Sequence, residues 1–398
     1  MDEILVGEYN PIHVPKIIFG PGTAMTRVPE VIKSLHKKRS LIVTTNPIVA
    51  NTNMVQQLKQ ALDDLNVGVF SNTEQHVPRS SVYEGARMAR EVDVDMVISF
   101  GGGSCLDCAR GIQMVLAEGE RLDDLSINAQ HSRKNETPPF TKKTFIPHIA
   151  IPTTLAGAEF SCVAGITNTK TKTKEIFINP QLTPSVIIHD PEVTLPTPMP
   201  LWISTGAKTV ADAIDAVCSP KPQPMDDLLA LTSLHLFATY LPITKAEPKN
   251  IYARSQLFQA TLMATLGANN TRVSIVGSIR HQLGAMLNIP HGIASTVILP
   301  YVMEFNRMAT AERLALIAQA MGSDTKTMTP EEAAHVAVKA VRNLIIKLGL
   351  PEKLRDVGVN KIDLEAIASR VMGELTAIAV NPPVSDRSQI FEILNNAW

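Results

Sequence analysis

The chain has 398 residues, 45% of them hydrophobic and 19% charged, with a formal net charge of -1. That length calls for two domains or three, and the near-neutral balance gives no electrostatic reason to expect nucleic acid or an anionic membrane as partner. The four cysteines are too few for a disulfide framework and suit a reducing, cytoplasmic setting.

Met1-Asp2-Glu3-Ile4 lacks a basic region followed by a long apolar stretch, and no run approaches 18 apolar residues. Neither a signal peptide nor a membrane span is therefore expected. Lys16 to Phe19 reads as a short strand ending at Gly20-Pro21-Gly22, followed by an amphipathic helix from Met25 to Leu35. Strand and helix then alternate: Ser40 to Thr45, Met54 to Leu65, Val67 to Phe70, Val82 to Val92, and Asp95 to Phe100. Asn128 to Lys143 is polar and reads as a surface loop, and His148 to Pro152 as another buried strand. Such alternation implies parallel pairing with right-handed crossovers, with ligands outside the carboxyl ends of the strands. Composition changes near residue 190, after the strand ending at His189-Asp190-Pro191, where prolines recur at 191, 196, 198 and 200. Beyond them the 3.6-residue period predicts helices from Ser204 to Val217, Met225 to Thr239, Ile251 to Leu266, Val273 to Met286, Thr310 to Met321 and Pro330 to Leu348. The expected architecture is an α/β dinucleotide-binding domain with a parallel, Rossmann-like sheet over residues 1–190 and an all-α substrate domain over 191–398, with the active site in the cleft between them.

The strand from Asp95 runs straight into Gly101-Gly102-Gly103-Ser104, and a helix follows from Cys105. Bare backbone and the free N–H groups of a helix N-terminus make an anion site suited to a phosphate. Ser104 is expected as the N-cap. The spacing is neither G-x-G-x-x-G nor a Walker A loop, and a tight turn without a ligand is the alternative. Cys105-x-x-Cys108 has redox spacing, but its setting in the loop and helix favours two small packing residues.

These pieces resemble the iron-containing, or group III, alcohol dehydrogenase family. The similarity rests on Phe19-Gly20-Pro21-Gly22-Thr23, Gly101-Gly102-Gly103-Ser104-Cys105-Leu106-Asp107, Pro152-Thr153-Thr154, Asp190-Pro191, Thr205-Gly206 and Asn288-Ile289-Pro290-His291-Gly292. Within the family, His76-Val77-Pro78 and Pro152 to Glu159 look most like maleylacetate reductases. The resemblance implies a dehydroquinate synthase-like architecture and NADP or NAD as cofactor. It places the cofactor against Thr45, Asn46, Gly101, Gly102, Gly103, Ser104, Asp107, Thr153, Thr154 and Lys174. Thr45-Asn46 carries no acidic residue to repel a 2′-phosphate and no adjacent arginine to clamp one, so NADPH should be tolerated and NADH as well.

The family's metal ligands are an aspartate, a histidine four residues on, and two later histidines. The corresponding positions here are Lys208, Asp212, Gly277 and His291. One matching ligand does not make a divalent metal site, and a lysine ammonium would repel the ion, so no metal is expected. Asp212, His281 and His291 gathering a metal by themselves is the weaker alternative. Lys208 and Asp212 lie i, i+4 on one helix. They either form a salt bridge filling the vacated site, or Lys208 supplies the positive charge the metal would have given. His281, which matches the family's non-ligand histidine beside the nicotinamide, is either a packed residue or the general acid. His291, between Pro290 and Gly292, reads as a functional residue in a turn. Arg280 and His281 point about 100° apart on a helix, so both need not enter one site.

The leading expectation is a metal-independent NAD(P)H-dependent reductase of a small carbonyl compound, with an oxo acid such as maleylacetate as one candidate, acting as a cytoplasmic homodimer. A lyase-type enzyme without net redox change and a nucleotide-binding homologue without catalysis are the alternatives.

Overall fold

The computed structural model describes residues 14–127, 140–141, 143–171, 173–268, 274–375 and 384–398. These divide into two compact units, one ending at Pro198 and the other running from Met199 onward. The extreme N-terminus, most of the expected Asn128–Lys143 loop, Lys172 and Val273 lie outside the described residues.

The first unit is built on six parallel strands: β1 (Ile17–Phe19), β2 (Ser40–Val43), β3 (Asn66–Phe70), β4 (Met96–Gly101), β5 (His148–Pro152) and β8 (Val186–His189). Their spatial order is β1-β8-β5-β4-β2-β3. Every residue of β2, β4, β5 and β8 is buried, as a parallel sheet covered on both faces requires. The period of two divides β4 between two cores. Val97 packs with Val82, Ala86, Ala109 and Ile112, while Met96, Ile98 and Phe100 pack with Ala24, Ile32, Leu58 and Leu62. The remaining strands, β6 (Val163–Asn168) and β7 (Thr173–Ile178), form a separate antiparallel hairpin.

Three local expectations are corrected. The helix expected from Met25 to Leu35 is two pieces, α1 (Thr23–Thr26) and α2 (Val28–Ser34), broken at Arg27 ahead of Pro29. The helix expected from Val82 begins earlier, as Arg79–Glu91, because Pro78 presets an extended entry. The glycine-loop helix runs Gly103–Glu118 with Gly102 as its N-cap, so Ser104 sits inside the first turn rather than capping it.

In the second unit the described residues form helices and no strands. The helices that bear the candidate site residues of this unit are α8 (Met199–Val217), α11 (Ile275–Leu287) and α12 (His291–Asn306), numbered in chain order. His291 is the first residue of α12, so its placement in a turn is also corrected. Asn288, left-handed at φ 56°, ends α11, and Pro290 caps α12, so the chain turns between two helices in three residues. Among the described residues no helix is long and apolar enough to cross a membrane.

Candidate functional site

The first unit gathers the carboxyl ends of the adjacent interior strands β5, β4 and β2. The Thr44 hydroxyl donates to the Phe100 carbonyl at 2.8 Å, and the Thr153 N–H donates to the Gly101 carbonyl at 3.0 Å. These bonds align Thr45, the glycine loop and Thr153-Thr154 side by side. Gly101 has φ 148°, and a Cβ there would collide with the Cys105 sulfur, so only glycine suits the turn. At Gly102 a Cβ would lie 3.2 Å from Thr154 Cγ2, which leaves the backbone bare against a threonine. No side chain caps the helix at Gly102, which leaves a helix N-terminus of the kind that can hold an anion.

Asp107, one turn further along this helix, accepts from the Gly165 N–H at 3.2 Å and from Arg110 Nη1 at 3.3 Å. Burial pushes its carboxyl up, against the pull of Arg110 and Lys174. Lys174 crosses Gly165 from the partner strand of the hairpin, its Nζ 3.0 Å from where a Cβ would stand. Sequence reading missed Gly165, whose lack of a side chain lets Lys174 approach Asp107. Arg110 is buried and also donates to the carbonyls of Leu182, Val163, Ala158 and Ser161, which fixes the chain around the hairpin. Cys105 and Cys108 are buried, and burial pushes both thiols up, Cys108 to about 12. Neither is a ready thiolate, in keeping with a packing role. Asp190 accepts from the backbone N–H groups of Gly22, Ala24 and Glu192 at 2.9–3.1 Å, tying the Gly-Pro-Gly turn to the end of β8.

The second unit brings together the remaining candidates. Lys208 and Asp212 form the i, i+4 ion pair on α8. Arg280 of α11 donates through Nη1 to Asp212 at 2.9 Å and to Ser295 of α12 at 3.2 Å, so one guanidinium ties three helices. Burial would raise the Asp212 carboxyl, but Lys208 and then Arg280 outweigh it and hold it below the usual carboxylate range. Two cations about one carboxylate leave a net positive charge. His281 and His291 face each other with ring centroids 5.9 Å apart. Gly284 makes room for the second ring, since a Cβ there would lie 3.1 Å from His291 Nε2. Gly292 lets α12 approach the backbone of α8 at Ser204. Gly277, buried in the first turn of α11, brings no donor side chain to the cluster and gives its N–H to Ser274 Oγ at 2.9 Å. Among the described residues no three His, Cys, Asp or Glu side chains gather as metal ligands would. A carboxylate already held between the Lys208 ammonium and the Arg280 guanidinium is a poor fit to a divalent ion.

Comparison with known proteins follows the same outline. A profile described as iron-containing alcohol dehydrogenase matches residues 15–191, and one described as the C-terminal part of the Fe-containing alcohol dehydrogenase family matches 202–398. The chain is 31% identical to a 1,3-propanediol dehydrogenase of Citrobacter freundii, covering 97% of this chain and 98% of that one. It is 30% identical to an NAD-dependent methanol dehydrogenase of Bacillus methanolicus, covering 96% and 98%. A crystal structure of a 1,3-propanediol oxidoreductase superposes with a TM-score of 0.90 at 27% identity, covering 98% of this chain and all of that one. A maleylacetate reductase from Agrobacterium tumefaciens, covering 99% of each chain, superposes at 0.80 with 24% identity, a likeness of fold.

Proposed function

The chain belongs to the iron-containing alcohol dehydrogenase family, and from that membership we propose that it is an NAD(P)-dependent oxidoreductase interconverting an alcohol and a carbonyl compound without a metal ion. The observation that carries the metal-independent part is the Lys208–Asp212–Arg280 cluster, whose first two members stand at the positions that the resemblance matches to the family's aspartate and first histidine ligands. Its net positive charge is suited to stabilising the alkoxide that forms as a carbonyl is reduced. Bound nicotinamide nucleotide supplies or accepts the hydride. The glycine loop, the first turn of its helix and Thr154 hold the pyrophosphate, and Thr45 and Asn46 meet the ribose. Lys174, steadied by Asp107, faces the nicotinamide end. His281, paired with His291, moves the proton to and from the substrate oxygen. The cationic cluster also favours a substrate that carries its own carboxylate, such as a small oxo acid, over a neutral aldehyde.

Elemental analysis of the purified chain, with cofactor oxidation followed before and after chelation, tests this. Well under one iron or zinc per chain and unchanged turnover are expected. About one metal per chain, lost together with activity on chelation, would overturn it.

A further inference from the structure

The first unit holds a cavity of about 550 Å³. Asn46, Asn72, Thr73, Glu74, Gln75 and Glu84 line it, and among the described residues no lysine or arginine does. Asn46 and Asn72 bring it to the ends of β2 and β3, where Thr45 and Asn72 pair in an isolated antiparallel bridge. β2 is the immediate neighbour of the glycine-loop strand β4. In dinucleotide folds that neighbouring strand end receives the adenosine ribose and supplies the acid that reads its 2′ position. Thr45 is no acid, but a relay brings one from elsewhere. Glu84, on the helix Arg79–Glu91, accepts from Asn72 Nδ2 at 2.9 Å, and Asn72 Oδ1 accepts from Asn46 Nδ2 at 3.1 Å. The carboxylate fixes the orientation of the amide, because it can only accept, so the Asn72 amino group must face it. Glu74 adds a second carboxylate to the same lining.

The geometry points to Glu84, held through Asn72 and seconded by Glu74, as the residue that selects NAD(H) over NADP(H) at the ribose end of the cofactor site. This rests on the nicotinamide-dependent function proposed above. A 2′-phosphate would bring close to two negative charges to two carboxylates and meet no cation among the described lining residues. A 2′-hydroxyl fits the same neutral amides as donor or acceptor. Both glutamates are exposed, so the discrimination should weaken with salt.

The test is direct binding of NADH and of NADPH to the purified full-length chain, followed by nicotinamide fluorescence at low and at physiological ionic strength. NADH is expected to bind at least about tenfold more tightly at low salt, with a smaller gap at higher salt. Glu84→Gln combined with Glu74→Gln should narrow the gap at least threefold by tightening NADPH, and melting curves of the variant check that it is folded. Equal or tighter NADPH binding by the wild type, or an unchanged ratio in the folded double variant, would overturn the assignment. Failure of both nucleotides to bind would instead remove the nicotinamide-dependent function and the inference with it.

Discussion

Lys208 carries the sharpest claim at the level of a single side chain. If its ammonium stabilises a developing alkoxide, Lys208→Met should raise the barrier to turnover by about 2–4 kcal/mol, the range for losing one oxyanion donor. Folding and nucleotide affinity should change little. A purely structural ion pair behaves differently: Lys208→Met and Asp212→Asn would each lower the melting temperature while kcat per folded molecule stayed near wild type. Measuring kcat and Tm for both variants separates the two. Arg280 sharpens the contrast, because Asp212 retains a cationic partner at 2.9 Å when Lys208 is removed. The i, i+4 pairing was legible from spacing alone. The third member was not, since Arg280 lies 68 residues from Asp212 and reaches it only because α11 packs beside α8.

The strand, glycine loop and helix from Met96 to Glu118 form the element on which the proposed cofactor binding depends. Gly102→Val would drive its side chain against Thr154 and into the space left for the pyrophosphate. Nucleotide binding should be lost while the melting temperature falls only modestly, and fluorescence titration with NADH reads the first effect. Unchanged affinity would reject the loop as the anion site. This element was legible because Val97 to Phe100 is a buried run and three glycines follow it without a break. The hairpin β6–β7 was not, because Gly165 interrupts the apolar pattern of the first strand and the second opens on polar Thr173 to Glu175. Helix α12 escaped as well. Asn288 and Pro290 signal a stop, and Pro300 lies inside the helix, so its His291 read as part of a turn.

At the scale of the whole molecule, folded stability should depend on a half-buried acid that no proposed step uses. Asp215, one turn beyond Asp212 on α8, accepts a hydrogen bond from Ser274, whose oxygen also caps the first turn of α11. Burial pushes its carboxyl up to about 7; the Ser274 bond opposes this and the nearby Asp212 charge adds to it, with Arg280 pulling the other way. In the unfolded chain an aspartate titrates near about 3.9. The folded state therefore holds the proton more tightly, and the sign follows from linkage. The stabilisation is complete below about pH 4 and is lost as pH rises through about 7, where the fold must carry a buried charge. Asp215→Asn keeps an acceptor for Ser274 and removes that charge. Urea unfolding at pH 5 and pH 8 should find the wild type less stable at the higher pH. The variant should show a flatter profile and a gain of about 1–3 kcal/mol at pH 8, less than full burial would give because solvent reaches part of the site. Parallel profiles for the two proteins would mean that Asp215 is already ionised and paid for by its neighbours at neutral pH.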